Sequence, residues 1–440
     1  MNDLTELARA GRLADVRSGL EELGVRGVVD ELRRCDAVTR AVAFRSLSKG
    51  FALEVFEDLE PAVQRELLDG LREEATAELV AGLDPDDRAV LLDELPAKVA
   101  TRLLSGLSPQ EREMTTVLLG WPVDSVGRRM TPEVVAVPVT LTVGQALQHV
   151  TERAEEAETI YTLPVVDAGR TVVGVVSLRR LLVSDAATPL TEVMSEPIVV
   201  EAGTDQEEAA VKVRDHGLVA IPVVDAEQRL LGLFTVDDAM RVLVREESED
   251  LARTGASEPL QRPYLTTSIL GLVRSRIAWL LVLLVAAALT VTVLGYFEAT
   301  LEQVVVLALF VPLLIGTGGN AGAQAATTVV RAMALGDVRF ADLPRVVGRE
   351  VVTGASLGAT LALVGFVPAT VIAGPQIAAV LTLTMVVVCT LATAAGSLTP
   401  MLARRLGVDP AVVSAPFITT FVDTTGLIVY FLIAGAVLGL

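Results

Sequence analysis

Asp423 is the residue whose placement makes the sharpest chemical demand. It lies in PFITTFVDTTGLIVYF, about midway along the last apolar stretch, and is the only acid well inside such a stretch. A carboxylate at that depth costs about 3 kcal/mol, so it is expected to face a polar cavity or an ion pathway rather than lipid. A second run, VPLLIGTGGNAGAQ at 311–324, sets Gly316, Gly318, Gly319 and Gly322 around Asn320. Gly318 and Gly322 have the spacing at which helices pack closely. The same run offers backbone carbonyls and an amide oxygen, which suit a hard cation or its waters. A third set of acids, Glu246, Glu249 and Asp250, reads on its own as a solvated helix face.

Other chemistries find little support. No glycine loop ends in Gly-Lys-Ser or Gly-Lys-Thr, so an ATP-driven pump is not indicated. Cys35 and Cys389 are the only cysteines and suggest neither a disulfide framework nor a zinc site. His149 and His216 are isolated and read as structural.

Five apolar segments must position Asp423 and Asn320: roughly 277–297, 304–332, 351–373, 377–403 and 411–438. The first, at 1.5 Å rise per residue, spans about 31 Å, the thickness of a bilayer core. All five read as transmembrane helices. Arg274 and Arg276 precede the first, Arg331, Arg339, Arg345 and Arg349 surround the second connection, and Arg404 and Arg405 border the fourth. The first and third connections carry no Lys or Arg. The positive-inside rule then puts the N-terminal half in the cytoplasm and the C-terminus outside. Pro312, Pro368 and Pro416 suggest locally opened backbone within the spans.

The first 260 residues hold 48 acids against 27 bases, so this half is near −21 and accounts for the whole net negative charge, −19 for the full chain. Such a surface repels phosphate backbones, which disfavours nucleic acid and favours multivalent cations as partners. Residues 1–34 read as helical and charged, without the apolar core of a signal peptide. Leu59-Glu60-Pro61, Leu83-Asp84-Pro85 and Leu107-Ser108-Pro109 recur every 24 residues. Pro opening a helix after an acidic or hydroxyl cap reads as a solenoid of stacked helical hairpins. From Met130 a second repeat begins: Pro164-Val165-Val166-Asp167 and Gly174-Val175-Val176-Ser177 return at an offset of 58 as Pro222-Val223-Val224-Asp225 and Gly232-Leu233-Phe234-Thr235. Each copy predicts helix, strand, turn, strand and helix.

This paired unit resembles a tandem CBS module, a ligand-sensing fold that often binds adenine nucleotides between its copies. The resemblance implies ATP as a ligand, with Tyr161, Thr235 and Asp238 as its positions. Ser177 followed by Arg180 departs from the hydroxyl-x-x-acid pattern in the first copy. The whole chain is similar to the MgtE family of magnesium channels and transporters, most specifically in GTGGNAGAQ and TTFVDTTG. That resemblance implies a multi-domain membrane protein: an all-α solenoid at 1–126, α+β tandem CBS domains at 127–245, an acidic connecting helix at 246–270 and a five-helix transmembrane domain at 271–440. It further implies a homodimer in the bacterial inner membrane, with Asp423, Thr419 and Asn320 lining a Mg²⁺ pore. Regulatory Mg²⁺ would bind Asp86, Gly127, Asp205, Glu207, Asp238, Glu246, Glu249 and Asp250. Val90, Gly217 and Arg241 stand where the family carries acids, which predicts weaker or missing individual sites. No enzyme activity is expected. The competing reading is a proton-coupled secondary carrier of divalent cations such as Co²⁺ or Mn²⁺, and selectivity among divalent ions is left open.

Overall fold

The computed structural model describes residues 13–260, 262–410 and 415–439. Two expectations fall partly outside these: the helical reading of 1–12 and the first residues, 411–414, of the fifth span. The chain divides into two compact units. One runs to Glu246 and takes back a short stretch ending at Thr267; the other combines Glu247–Leu260 with the chain from Ser268 onward.

Among the described residues of the first unit, nine solenoid helices follow in short steps: α1 Leu13–Glu21, α2 Gly24–Arg34, α3 Ala37–Ser46, α4 Lys49–Glu57, α5 Pro61–Gly70, α6 Glu73–Gly82, α7 Pro85–Glu94, α8 Ala97–Gly106 and α9 Pro109–Leu119. The predicted prolines open α5, α7 and α9 because a first-turn residue needs no amide proton. The leucines before them, Leu59, Leu83 and Leu107, are buried in the hydrophobic core.

A second 24-residue signal emerges only in three dimensions. The side chains of Arg40, Gln64, Arg88 and Arg112 each donate to a carbonyl eight residues earlier, on Leu32, Phe56, Val80 and Leu104. Arg88 also donates to the carbonyls of Ala81 and Leu83, and Arg112 likewise to those of Ser105 and Leu107. A helix end leaves its last carbonyls without internal partners, and a guanidinium supplies several donors together with favourable charge. The solenoid is therefore fastened at each repeat by a side chain reaching back to the preceding helix.

The CBS pair follows as β1 Val137–Pro138, α10 Val143–Arg153, β2 Thr162–Val166, β3 Val172–Ser177, α11 Leu178–Val183, α12 Leu190–Val193, β4 Val200–Glu201, α13 Gln206–His216, β5 Ala220–Val224, β6 Leu230–Thr235 and α14 Val236–Thr254. Each copy adds to the predicted pattern a short first strand, parallel to the second, while second and third pair antiparallel. The registers repeat at the sequence offset. Even the turns match: Arg170 and Gln228 both take left-handed φ, at 65° and 62°, beside Asp167 and Asp225 whose carboxylates accept the turn amides. His149 and His216 bond to backbone carbonyls of Ala136 and Lys212.

The second unit holds α15 Ile269–Tyr296, a short α16 Glu298–Gln303, a 3₁₀ stretch at Val305–Phe310, α17 Val311–Ala334, α18 Leu343–Ala373, α19 Pro375–Arg405 and α20 Ala415–Leu438. Five of its helical stretches are long and apolar enough to cross a membrane. The first and third begin earlier than hydropathy suggests, taking in Arg274 and Arg276, and Arg345 and Arg349. A backbone helix has no reason to stop at the bilayer edge, whereas hydropathy marks only its apolar part.

Three expectations need correction. The connecting helix at 246–270 is not a separate element: 246–254 continues α14, and helical geometry ends at Gly255, before Ala256 at φ 52° and Pro259 and Pro263. It therefore does not run directly into the first span. Pro312 lies in a first turn rather than at a break, Pro368 sits inside an unbroken α18, and Pro416 stands next to residues outside the described ones. The glycine run of α17 exposes no free carbonyls, because the helix is continuous through it.

Arg88 is 3% exposed with donors committed to four acceptors. Arg88→Ala is expected to cost about 3 kcal/mol, read from hydrogen exchange of solenoid amides, whereas Arg112→Ala at the exposed repeat costs about 1 kcal/mol or less.

Candidate functional site

In the first unit a cavity of about 410 Å³ separates solenoid from CBS pair, and its polar lining is mostly carboxylate. Asp86 and Asp87 enter from the first turn of α7, and Asp237 and Asp238 from the first turn of α14. Glu57 ends α4, and Glu158 comes from the segment before β2. Among the described residues, ligand-type oxygens gather within 4.8 Å in two groups of three: Asp86, Asp87 and Asp238, and Glu158, Asp237 and Asp238.

These acids are short of counter-charge. Asp86 and Asp238 are only 4% and 8% exposed. Oδ1 of Asp86 and Oε2 of Glu158 are buried without a hydrogen-bond partner. Burial first, then the neighbouring Asp238, Asp87 and Glu158, push the Asp86 carboxyl well above its ordinary range. Burial likewise lifts Glu57 to about 7, with Asp84 adding, and Glu158 to about 8. Asp87 reaches about 7 although Arg241 pulls it down. Thr235 donates to Asp238 Oδ2 at 2.7 Å, satisfying one oxygen. Unpaired anions in a dry cavity are costly unless paired or metal-bound. The donor set is all oxygen, which fits Mg²⁺ or another hard divalent ion.

The other expected regulatory residues lie elsewhere. Gly127 is buried in a 3₁₀ turn, its amide on Ala202 O at 2.9 Å, and a Cβ there would meet the Trp121 ring at 2.8 Å. Asp205 caps α13 and accepts from the Glu207 amide. Gln206, which sequence reasoning missed, is 2% exposed and joins Arg129 to Glu246, its amide donating to Glu246 Oε1 at 2.8 Å. Glu249 and Asp250 belong to the second unit. There Arg253 pairs with Glu249 at 3.2 Å and with Asp409, in the connection between α19 and α20. Burial and then Asp409 raise the Asp250 carboxyl. Asp86 and Asp238 thus come together, whereas Glu249 and Asp250 join a separate ion-pair cluster.

In the second unit α17 packs against α19 and α20 through glycine. A Cβ on Gly318 would meet Val388 Cγ1 at 2.5 Å, one on Gly322 would meet Ile418 Cγ2 at 2.9 Å, and one on Gly396 would strike the Gly322 carbonyl. Gly319 lies against the predicted pore pair: its Cβ would meet Thr419 Cγ2 at 2.7 Å and Asp423 Oδ1 at 3.6 Å. That Asp423 oxygen is buried without a hydrogen-bond partner. Asn320 is exposed and lines a different cavity of about 370 Å³ with Ala323, Gln324, Thr327 and Thr328. Gln324 and the two threonines were not foreseen; their spacing from Asn320 along one helix face was the available signal.

Known proteins resemble this chain over most of its length. Family descriptions match as an MgtE intracellular N domain at 24–124, CBS domains at 123–186 and 190–245, and the divalent cation transporter MgtE at 311–433. A magnesium transporter MgtE of Thermus thermophilus is 41% identical over 314 residues, 71% of this chain and 69% of that protein. Its counterpart from Enterococcus faecalis is 36% identical over 72% of this chain and 70% of its own length. Among solved structures, the cytosolic domain of the Mg²⁺ channel MgtE in complex with ATP is 35% identical, with a TM-score of 0.51 over 54% of this chain and 98% of that one. A match to inosine-5'-monophosphate dehydrogenase of Streptococcus pyogenes, 36% identical, covers 22% of the chain.

The raised carboxyls fix a sign for stability against pH. Their folded values lie above the unfolded ones, so without metal their contribution is fully present below about pH 4 and is lost as pH rises through about 7 to 8. In EDTA the unfolding midpoint of the solenoid and CBS region is expected to fall between about pH 6 and pH 8. Millimolar Mg²⁺ should offset that fall, and more so at the higher pH. Parallel thermal scans across pH with and without Mg²⁺ measure both.

Proposed function

The chain belongs to the MgtE family of magnesium transporters, and on that premise we propose that it is a passive Mg²⁺ channel of the bacterial inner membrane that internal Mg²⁺ closes. The family is one of transporters rather than enzymes. The observation that carries the pore reading is Asp423 itself: a carboxylate on a spanning helix, one oxygen buried and unpartnered, with Thr419 one turn away and glycine opposite. Mg²⁺ sheds water reluctantly, so Asp423 serves best by accepting hydrogen bonds from the waters of a hydrated ion. Two charges crossing 100 mV gain roughly 4.6 kcal/mol, which drives entry without a fuel.

The pore is formed by two copies of the chain. Supporting this, Asn320, Gln324, Thr327 and Thr328 are polar yet lie on the uncovered face of a spanning helix, where lipid would leave their amides unsatisfied. A second α17 across a shared axis turns that face into a wet lining. The N-terminal unit lies in the cytoplasm and the C-terminus outside, as the placement of arginine in the connections supports.

Closure follows from charge. When metal is scarce, the cavity acids repel one another; a divalent ion held by Asp86, Asp87 and Asp238 draws solenoid and CBS pair together. Helix α14 carries Asp238 in its first turn and Arg253 in its last, and the ion pair of Arg253 with Asp409 reaches the connection leading to the Asp423 helix. Strain on that helix is thereby passed toward the pore. Tyr161, Thr235 and Asp238 line the same cavity, and ATP is a further ligand it accommodates once metal has neutralised the acids that would repel its phosphates.

Liposomes holding the purified protein are expected to take up Mg²⁺ when internal Mg²⁺ is low and to slow when it is raised. Asp423→Ala should bring uptake to background in both conditions. Uptake indifferent to both changes overturns the reading, and uptake that follows an imposed pH gradient favours the proton-coupled carrier of Co²⁺ or Mn²⁺.

A further inference from the structure

One cation already stands in the acid cavity. Nη1 of Arg241 lies 3.2 Å from Asp238 Oδ1 and 3.4 Å from Asp87 Oδ1, and its Nη2 lies 3.4 Å from Asp58 Oδ1. Asp58 and Asp87 belong to the solenoid; Asp238 and Arg241 belong to α14 of the CBS pair. The guanidinium is thus shared among three carboxylates, two from the solenoid and one from the CBS pair, at distances longer than those of a bidentate pair. It does not serve Asp86, whose Oδ1 stays buried and unpartnered. Two of its three partners, Asp87 and Asp238, are also members of the triad that closes within 4.8 Å.

A guanidinium and a divalent ion cannot both hold the same oxygens at full strength. The tethered cation differs from a dissolved one in that its local concentration is fixed by the chain and not by the cytosol. It carries one charge rather than two, so it offsets the repulsion without removing it.

We propose that Arg241 is a built-in counter-cation that clamps the solenoid to the CBS pair in the absence of metal, and that a divalent ion must displace it from Asp87 and Asp238. The clamp stands on the ion pairs alone; the displacement rests on the regulatory-metal reading above. Arg241 therefore sets the Mg²⁺ concentration at which the cavity closes: it weakens metal binding by competition while keeping the two elements from drifting apart at low Mg²⁺.

The test is hydrogen exchange of the full-length protein in lipid nanodiscs, in EDTA and across a Mg²⁺ titration, for wild type, Arg241→Gln, Arg241→Lys and Asp58→Asn. Asp58 lies outside the triad, so its substitution loosens the clamp without removing a metal ligand. In EDTA, Arg241→Gln is expected to speed exchange around residues 57–60, 84–88 and 157–161 about fivefold, Asp58→Asn less, and Arg241→Lys least. Amides of α10, which packs on β1 and α11 and supplies none of the cavity lining, should stay protected and so report that each variant is folded. Mg²⁺ should restore protection in Arg241→Gln at a lower concentration than wild type needs for its own response. Exchange in EDTA that is unchanged in both Arg241→Gln and Asp58→Asn overturns the clamp. Loosening that Mg²⁺ does not reverse keeps the clamp and overturns the regulatory-metal reading. Restoration at the wild-type concentration overturns the displacement.

Discussion

A carboxylate placed where water is scarce must find a cation, and this protein imposes that condition twice. Asp86 is buried against Asp87, Asp238 and Glu158, and Asp423 lies on a spanning helix with one oxygen unpartnered. In neither place does the chain supply a full complement of donors. Leaving such groups unpaired costs several kcal/mol each. That cost suits both positions to an ion, and the rest of the architecture can be read as the means of burying them.

The two units bury them by different means. Around Asp86 the prolines that open the solenoid helices put acids in the first turn of α7, while Arg88 fastens that helix to the one before it. The facing acids arrive on α14, which opens with Asp237 and Asp238 at the end of the second CBS copy. Around Asp423 the device is the absence of side chains: Gly318, Gly319, Gly322 and Gly396 let three helices approach until little space remains beside the carboxylate. Small residues there serve packing and placement, whereas Asn320, next to them in sequence, is exposed.

The fold was largely legible in the sequence because its signals are periodic. A Pro every 24 residues marked the solenoid, an offset of 58 marked the CBS pair, and apolar runs marked the spans. The site was less legible because it depends on contacts between residues far apart in the chain. Asp238 with Asp86 was expected, but Asp87, Glu158 and Asp237 join them only once the solenoid and the CBS copies are packed. Arg241 read as a departure that would weaken a site, whereas it bridges three of the acids. Glu249 and Asp250 were grouped with the other regulatory acids by resemblance, yet they pair around Arg253 and Asp409. The end of α14 was missed because its acidic stretch has good helix propensity; Gly255 and the two prolines beyond it decide the boundary.

The account stands on the claim that the dry acids of the cavity sense internal Mg²⁺. Its most direct test is flux through the full-length protein in liposomes carrying Asp86→Asn together with Asp238→Asn, measured against internal Mg²⁺. The account predicts that flux persists at internal concentrations that silence the wild type, with half-inhibition moved roughly tenfold or more upward. An inhibition curve that superimposes on the wild type's would contradict it.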